Sequence, residues 1–402
     1  MKNLVGFRLR EGRLRKNMSQ AGLCRGICAV SYLSKIEQGR AEPGPDIVRL
    51  LFARLGVSYE DDPLFLQESR ALLHTLFEKH FREEDCAAEE EELWRRGPRL
   101  LQSPLCLTYR LAWAFRGQEP EAEYAALTPY AEYMDDDVRF LYELLRAHLT
   151  PFEEGMQALR RAESLNPCSR VSYTAAGLLF GSGKYQEALR YCTQGYTRAA
   201  GEGCIPMMRE ISFLEALCYA NLFQHTLMLR AFDRTSALSQ GDPEMLARID
   251  YNIGASFLEK GRFAEALPRL LDAERRYRDP TMHTGKDSRC MVFHKLAICC
   301  RELSHQEEAR KWLAQAQSEL PGLPEIYGRM LRLIELRLQP QYNLNDEYFT
   351  LLQSLCAELG DALHHGYRQF HALFLMEALV ARRRYREAYL LARELNPMFS
   401  QE

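Results

Sequence analysis

Most of this chain consists of copies of one segment. Three stretches align without gaps: YTAAGLLFGSGKYQEAL (173–189), YNIGASFLEKGRFAEAL (251–267) and HKLAICCRELSHQEEAR (294–310). Each has a small residue in its first half, a Gly or Ser at its centre and an alanine in its second half. A small residue lets a second helix approach and glycine permits chain reversal, so each copy predicts a helical hairpin. Further copies lie at 382–389 and, more weakly, at 151–159, 222–232 and 344–352.

The aligned positions are Ala176, Gly254 and Ala297, then Gly183, Gly261 and Ser304, then Ala188, Ala266 and Ala309. These residues resemble the tetratricopeptide repeat. Strand patterns are almost absent after residue 62, and the apolar residues there keep a helical period. The resemblance therefore implies an all-α fold, in which a right-handed superhelix of tetratricopeptide-like hairpins spans residues 63–402.

In tetratricopeptide domains that bind peptides, the first helix of each hairpin lines a concave wall, and polar residues there hold the ligand. The matching candidates for peptide binding are Arg170, Tyr173, Thr174, Arg248, Tyr251, Asn252, His294 and Lys295. Asn252 is the leading candidate, because an amide side chain both donates to and accepts from a peptide backbone. A packed or solvated helix residue is the competing interpretation at each position, although the set as a whole favours a ligand groove.

The N-terminal stretch Met18–Arg40 predicts two short helices that meet at a tight turn. Ser19 is a candidate N-cap for the first helix, and Gly39 is placed to end the second. In the second helix the expected buried stripe is Val30, Leu33 and Ile36, and the outward residues are Ser31, Tyr32, Ser34 and Lys35. A small polar outer face on such a helix suits the major groove of DNA, and an ordinary helical hairpin is the alternative.

This stretch and the preceding VGFRLREGRLRKNMSQ (5–20) resemble the Xre-type helix-turn-helix, in the version found in Gram-positive peptide-pheromone receptors of the RRNPP group. The resemblance implies an internal salt bridge between Arg10 and Glu37. The candidate DNA-binding residues are Gln20 and Arg40 toward phosphate, Val30, Ser31 and Lys35 toward bases, and Tyr32 and Ser34 on the same face. Ala29 replaces the commoner Ser or Thr, and alanine caps a helix poorly.

Charge is divided unevenly along the chain. Residues 1–59 contain eleven Lys or Arg and four Asp or Glu, a charge of +7, although the whole chain carries −3. The remainder is therefore acidic, at −10. A basic head on an acidic body is typical of a DNA-binding domain joined to a domain with another role. We expect a DNA-binding domain at residues 1–62 and a domain for peptide sensing and dimerisation at residues 63–402.

The sequence offers little for other classes of function. The twelve cysteines form no CxxC pair and no Cys/His spacing suited to zinc, so reduced thiols, no metal and no cofactor are expected. Neither a signal peptide nor an apolar run of about 18 residues occurs, so we expect a cytoplasmic protein without membrane contact. GxxxxGK[ST], GxSxG and HExxH motifs are absent, and an enzyme is not expected.

Together these features predict a cytoplasmic quorum-sensing transcription regulator that binds operator DNA and is controlled by a short signalling peptide. A homodimer is expected, because one recognition helix reads only a few base pairs and two half-sites give useful specificity. The alternative is a repeat-domain scaffold, or an adaptor that binds or dephosphorylates a response-regulator protein and makes little use of its head. DNA binding by the intact protein distinguishes the two.

Overall fold

The computed structural model describes residues 4–279, 285–363 and 365–395. Helices joined by turns and short loops make up these ranges, and no strand occurs within them, as the repeat pattern predicts. The chain divides into two compact units, Met1–Ala175 and Ala176–Glu402. None of the helices in the described ranges combines the length and the apolarity needed to cross a lipid bilayer.

The first unit begins with a head of four helices. These are α1 (Leu4–Arg15), α2 (Gln20–Cys24), α3 (Val30–Glu37) and α4 (Pro45–Arg54). After the head come α5 (Pro63–Phe81), α6 (Ala87–Leu100), α7 (Cys106–Phe115), α8 (Pro120–Leu127), a 3-10 helix (Thr128–Tyr133), α9 (Asp136–Leu149) and α10 (Phe152–Leu165). The next helix, α11 (Ser169–Gly181), contains the boundary between the two units.

The head forms as the sequence predicts, with local signals at the ends of its helices. The Ser19 hydroxyl accepts a hydrogen bond from the Gly22 amide at 3.0 Å and so caps α2. Gly39 follows α3 with a φ of 67°, and its amide donates to the Ile36 carbonyl at 2.9 Å. Ala29 provides no side-chain cap for α3. Packing of Leu33 and Ile36, which are both fully buried, therefore stabilises this helix.

The head contacts the helices that follow it in the first unit. Phe7 of α1 lies against Tyr130 and Tyr133, with ring centroids 4.8 and 4.5 Å away. The Tyr130 hydroxyl donates to the Glu11 carboxylate at 2.7 Å. Burial and this hydrogen bond raise the pKa of Tyr130 to about 12. These contacts use α1, so the outer face of α3 stays open to solvent.

The second unit continues with helices paired in sequence order. They are α12 (Tyr185–Gly201), α13 (Ile205–Asn221), α14 (His225–Leu238), α15 (Pro243–Glu259), α16 (Phe263–Tyr277), α17 (Lys286–Glu302), α18 (Gln306–Ser318), α19 (Glu325–Arg337), a 3-10 helix (Tyr342–Leu344), α20 (Asp346–Ala362), α21 (His365–Ala381) and α22 (Tyr385–Leu395). The hairpins α13/α14, α15/α16, α17/α18 and α21/α22 have short turns.

The hairpin geometry predicted from the repeats is confirmed. The central positions Gly183, Gly261 and Ser304 have φ values of 75°, 69° and 64°, the left-handed conformation that reverses the chain. The small residues at the helix crossings are all buried: Ala176, Gly254, Ala297, Ala188, Ala266 and Ala309. A Cβ added at Gly254 would lie 2.8 Å from Leu270 Cγ, because α15 and α16 approach closely there.

A buried arginine forms hydrogen bonds to several of the later helices. Arg337, at the end of α19, donates to Glu302 at 2.9 Å, to Glu377 at 2.8 Å and to the Tyr348 hydroxyl at 3.0 Å. Burial would raise the pKa of Glu377, but Arg337 and Tyr342 hold that pKa below its usual value. The network joins α17, α19, α20 and α21 through one guanidinium group.

Candidate functional site

The outer face of α3 is the candidate DNA surface. Ser31, Lys35 and, beyond the helix, Arg40 are exposed. Tyr32 and Ser34 are half-buried and already bonded. The Tyr32 hydroxyl donates to the Glu42 carbonyl at 3.2 Å, and the Ser34 hydroxyl accepts from the Gln38 amide at 3.2 Å. The most accessible polar groups on this face therefore belong to residues 31, 35 and 40.

Val30 does not belong to the buried stripe of α3, so that part of the sequence prediction is wrong. Its side chain is 45% exposed, whereas Leu33 and Ile36 are fully buried. Val30 is the first residue of the helix, and the core contact of α3 begins one turn later. An exposed valine can contact a thymine methyl group, which is compatible with the base-facing role expected for it.

The ion pair of Glu37 involves Arg13, and the expected pairing with Arg10 is wrong. The Arg13 guanidinium donates to both Glu37 oxygens, at 2.7 and 2.9 Å, while Arg10 is exposed. Arg13 lies four residues after buried Leu9 and so shares the core-facing side of α1, whereas Arg10 is adjacent to Leu9 and turns away. Gln20 also donates to Glu37, at 2.8 Å, so its amide nitrogen is used inside the head.

The exposed groups on and near α3 suit contacts with a nucleic acid. A lysine can donate to guanine O6 or N7, and a serine hydroxyl can donate to or accept from a base edge. Lys16, Arg25 and Arg40 are exposed elsewhere in the head and carry the positive charge that phosphate attracts. The head thus presents a short polar helix face on a basic domain.

The first group of peptide-binding candidates lies on α11. The Arg170 guanidinium donates to the Glu83 carboxylate at 2.5 Å and to the His80 carbonyl at 3.3 Å. Thr174 is buried, with 5% exposure, and Tyr173 is half-buried. Arg170 is therefore engaged within the first unit, and Thr174 offers little surface to a ligand.

The second group lies one turn apart on α15. Arg248 is half-exposed, with its guanidinium 3.6 Å from the Glu210 carboxylate and 4.3 Å from the centroid of Phe213. The Asn252 amide donates to the Arg248 carbonyl of its own helix at 2.8 Å. Its oxygen and second N–H are left for another partner. Arg248 and Asn252 are thus together and partly open to solvent, as the sequence suggested.

The third group is much deeper than a groove surface. His294 and Lys295, in the middle of α17, are 0% and 3% exposed, and Tyr251 of α15 is half-buried against the same core. The Lys295 ammonium lies 2.8 Å from the centroid of the Phe370 ring of α21. The His294 ring is 5.8 Å from the ring of His371, which also lies on α21.

Sequence reasoning missed Glu259, Phe370 and His371, which surround this third group. Glu259 lies two helical turns after Tyr251 on α15, a spacing that places both on one side of the helix and could have been noticed. Phe370 and His371 carry no such signal, because their helix follows α17 by more than sixty residues. Only the folded chain brings α21 to His294 and Lys295.

Burial dominates the ionisation of these residues. It lowers the pKa of Lys295 to about 7, although the Glu259 carboxylate acts in the opposite direction. It lowers the pKa of His371 to about 3 and that of His294 well below its usual value, and the Lys295 charge adds to both shifts. Burial also raises the pKa of Glu259. Both imidazoles are therefore neutral at physiological pH.

The described residues hold no group of three or more His, Cys, Asp or Glu side chains placed to bind a metal ion. No cysteine forms a disulfide, and most of the twelve are buried. The candidate sites thus consist of side-chain and backbone hydrogen-bonding groups and of charges.

Residues 9–61 match the family model described as helix-turn-helix. Comparison with curated protein sequences gave no match. Among solved structures, apo NprR of Bacillus thuringiensis is similar at 16% identity and a TM-score of 0.60, over 82% of this chain and 98% of that one. NprR bound to its cognate peptide NprX is similar at 16% identity and a TM-score of 0.60, over 85% of this chain and 100% of that one. A Rap protein complexed with competence and sporulation factor is similar at 14% identity and a TM-score of 0.60, over 82% of this chain and 97% of that one.

A fourth similar structure is aspartyl phosphate phosphatase F of Bacillus subtilis, at 14% identity and a TM-score of 0.53, over 99% of this chain and 94% of that one. At these identities the similarity establishes the fold. The chain therefore combines an Xre-type helix-turn-helix with the helical-repeat architecture found in NprR and Rap proteins.

Proposed function

We propose that this chain is a cytoplasmic quorum-sensing transcription regulator, which binds operator DNA through residues 1–62 and is controlled by a short signalling peptide bound by residues 63–402. The observation that carries the proposal is the open outer face of α3 on a basic head, with Val30, Ser31 and Lys35 exposed. In helix-turn-helix proteins the second helix places such an outer face in the major groove.

The peptide part of the proposal is supported by the repeat fold and by the half-open residues of α15. NprR and a Rap protein have the same fold, and their structures contain a peptide and a signalling factor. Arg248 and Asn252 offer a cation and an amide with unused hydrogen-bonding capacity. We propose further that the protein acts as a homodimer, since two heads are needed to read two half-sites.

Selection from a random duplex library tests the DNA-binding function with the intact protein. The expected result is enrichment of one sequence, arranged as two half-sites about one helical turn apart or a multiple of that distance. Mass spectrometry of small molecules that co-purify with the protein tests the peptide. If no duplex is enriched, either with or without the co-purified fraction, the proposal of a transcription regulator is contradicted.

An adaptor for response-regulator proteins is the second candidate. It is favoured by the similarity to aspartyl phosphate phosphatase F, which extends over 99% of this chain and so includes the region of the head. The adaptor is tested by incubating the protein with phosphorylated response regulators and measuring retention and phosphate release. Retention of one regulator together with no DNA enrichment would make the adaptor the better description.

A further inference from the structure

Six residues of the second unit form what we call the buried polar cluster: Tyr251 and Glu259 of α15, His294 and Lys295 of α17, and Phe370 and His371 of α21. His294 and His371 are 0% exposed and Lys295 is 3% exposed. The Lys295 ammonium rests on the face of Phe370, 2.8 Å from the ring centroid. The two imidazole rings are 5.8 Å apart. Three helices thus bring one cation, one acid and two histidines to one place.

Three of the four imidazole nitrogens of the cluster have no hydrogen-bond partner within the described part of the chain. Both ring nitrogens of His294 and Nε2 of His371 are buried and unpartnered. The Lys295 ammonium lies against the face of the Phe370 ring. Buried polar groups in native proteins are nearly always paired, so three unpaired nitrogens in one place require an explanation, such as a bound water or a ligand.

The tautomer of His371 determines which kind of ligand group can bind beside it. His371 Nδ1 lies 2.8 Å from the Tyr367 carbonyl oxygen, which can only accept, so Nδ1 carries the proton. In the neutral ring Nε2 is then a bare lone pair. A carboxylate cannot approach this lone pair unless a proton lies between them. The opposite oxygen of the same carboxyl group suits Lys295 or the N–H of His294, which donate.

The charges around the buried polar cluster also favour entry of a carboxylate together with a proton. The titratable and charged groups that act on it are Glu259 of α15, Lys260 directly after that helix, Lys295 and His294 of α17, and His371 of α21, with the Tyr251 and Tyr367 hydroxyls nearby. Within the six residues of the cluster, one ammonium, one carboxylate and two neutral imidazoles are close to balanced, and Lys260 is exposed to solvent. Adding an uncompensated anion to a dry, balanced cluster is strongly unfavourable, whereas adding the anion with its proton is not.

Building on the peptide-sensing function above, we propose that the buried polar cluster receives a free carboxylate of the ligand and that this carboxylate enters together with one proton, which His371 Nε2 holds. One peptide carboxylate and one proton from the solvent are taken up, and the complex contains a carboxylate that accepts one hydrogen bond from the protonated Nε2 of His371 and another from Lys295 or from the N–H of His294. Ligand affinity is therefore linked to pH. With one proton taken up per ligand, the binding constant falls about tenfold for each unit of rising pH.

Two pools of synthetic linear heptapeptides, randomised at every position, test the proposal with the full chain. One pool has free carboxyl termini and the other has amidated termini. Retention of each pool on the immobilised protein is measured by mass spectrometry at about pH 6 and about pH 8. We expect the ratio of retained acid to retained amide to fall by about a hundredfold between these two values. A ratio that does not change with pH would overturn proton-linked entry.

A matched pair of variants assigns the effect to His371. His371→Asn keeps a donor in the position of Nδ1 for the Tyr367 carbonyl and removes Nε2, so the chain folds while the pH dependence of the ratio falls to the part that loss of charge on Lys295 causes, since the Lys295 pKa of about 7 lies in the same range. His305→Asn makes the same replacement at an exposed histidine and keeps the parent's pH dependence. A pH dependence that is as steep in His371→Asn as in the parent protein would overturn the role of Nε2.

A measurement without peptides separates this inference from the proposed function. In protein labelled with ¹⁵N-histidine, acetate should move one ring-nitrogen resonance toward the protonated imidazole, and acetamide should not. That resonance should be missing in His371→Asn. Such a response together with no retention of either peptide pool would support the carboxylate site while contradicting peptide sensing. Retained peptides without a response to acetate would overturn the carboxylate site alone.

Discussion

Gly6 is the position where one added methyl group should disrupt the head. It lies on α1, and a Cβ there would be 1.8 Å from the carbonyl oxygen of Ile36 and 2.7 Å from its carbonyl carbon. Both atoms belong to the backbone of α3 and cannot rotate away. In Gly6→Ala the two helices must therefore separate, which opens the packing between Leu9 and Leu33, both fully buried.

The expected cost follows from two opposing terms. Overpacking against backbone destabilises by about 3 kcal/mol, the upper part of the usual range, because no side chain can yield. Alanine in place of glycine favours the helix by about 1 kcal/mol. The head should lose about 2 kcal/mol, and its amides in α1–α4 should exchange hydrogen roughly thirtyfold faster. Operator binding should weaken in proportion to the fraction of heads that are unfolded.

Hydrogen exchange followed by mass spectrometry measures this, with Gly12→Ala as the matched control on the same helix. A Cβ at Gly12 would meet only the Leu55 Cδ1 methyl group at 3.1 Å, at the end of a flexible side chain. That variant should be unchanged or slightly more stable, because the helix-propensity gain of about 1 kcal/mol is opposed by little strain. Equal exchange rates in the two variants would refute the close approach of α1 and α3.

Three further predictions concern the recognition helix, the buried arginine and a hairpin turn. Lys35→Ala should cost about 1–3 kcal/mol at the operator and relax the preference at one base pair; mobility shifts on cognate and altered duplexes measure this, and an unchanged preference removes Lys35 from the base-reading set. Arg337→Ala leaves the carboxylates of Glu302 and Glu377 without their shared cation, so chemical denaturation should show a loss of about 3–5 kcal/mol, and a loss below about 1 kcal/mol would contradict the network. Ser304→Gly relieves a φ of 64° and should raise stability by about 0.5–1 kcal/mol in the same assay, where a decrease would count against backbone strain at that turn.

The elements were predictable from the sequence because their signals are local. Ser19 and Gly39 end the helices of the head through hydrogen bonds to residues within a few positions, and such bonds depend on little else in the chain. The hairpins follow from side-chain volume in the same way. Gly261 and its equivalents in the other copies form the turns, and the buried alanines lie where the two helices of a hairpin cross. One alignment therefore indicates both the turns and the helix crossings.

The partners of individual side chains were decided only by the tertiary structure. Arg10 and Arg13 are three residues apart on one helix, and the packing of α1 against α3 selects Arg13 for Glu37. Lys295 was expected on an open wall from its position in the repeat. Its burial comes from α21, whose Phe370 lies far along the chain and contacts it only after the later hairpins have stacked. Helix periodicity specifies which way a residue faces, but the element that covers it is specified by contacts distant in sequence.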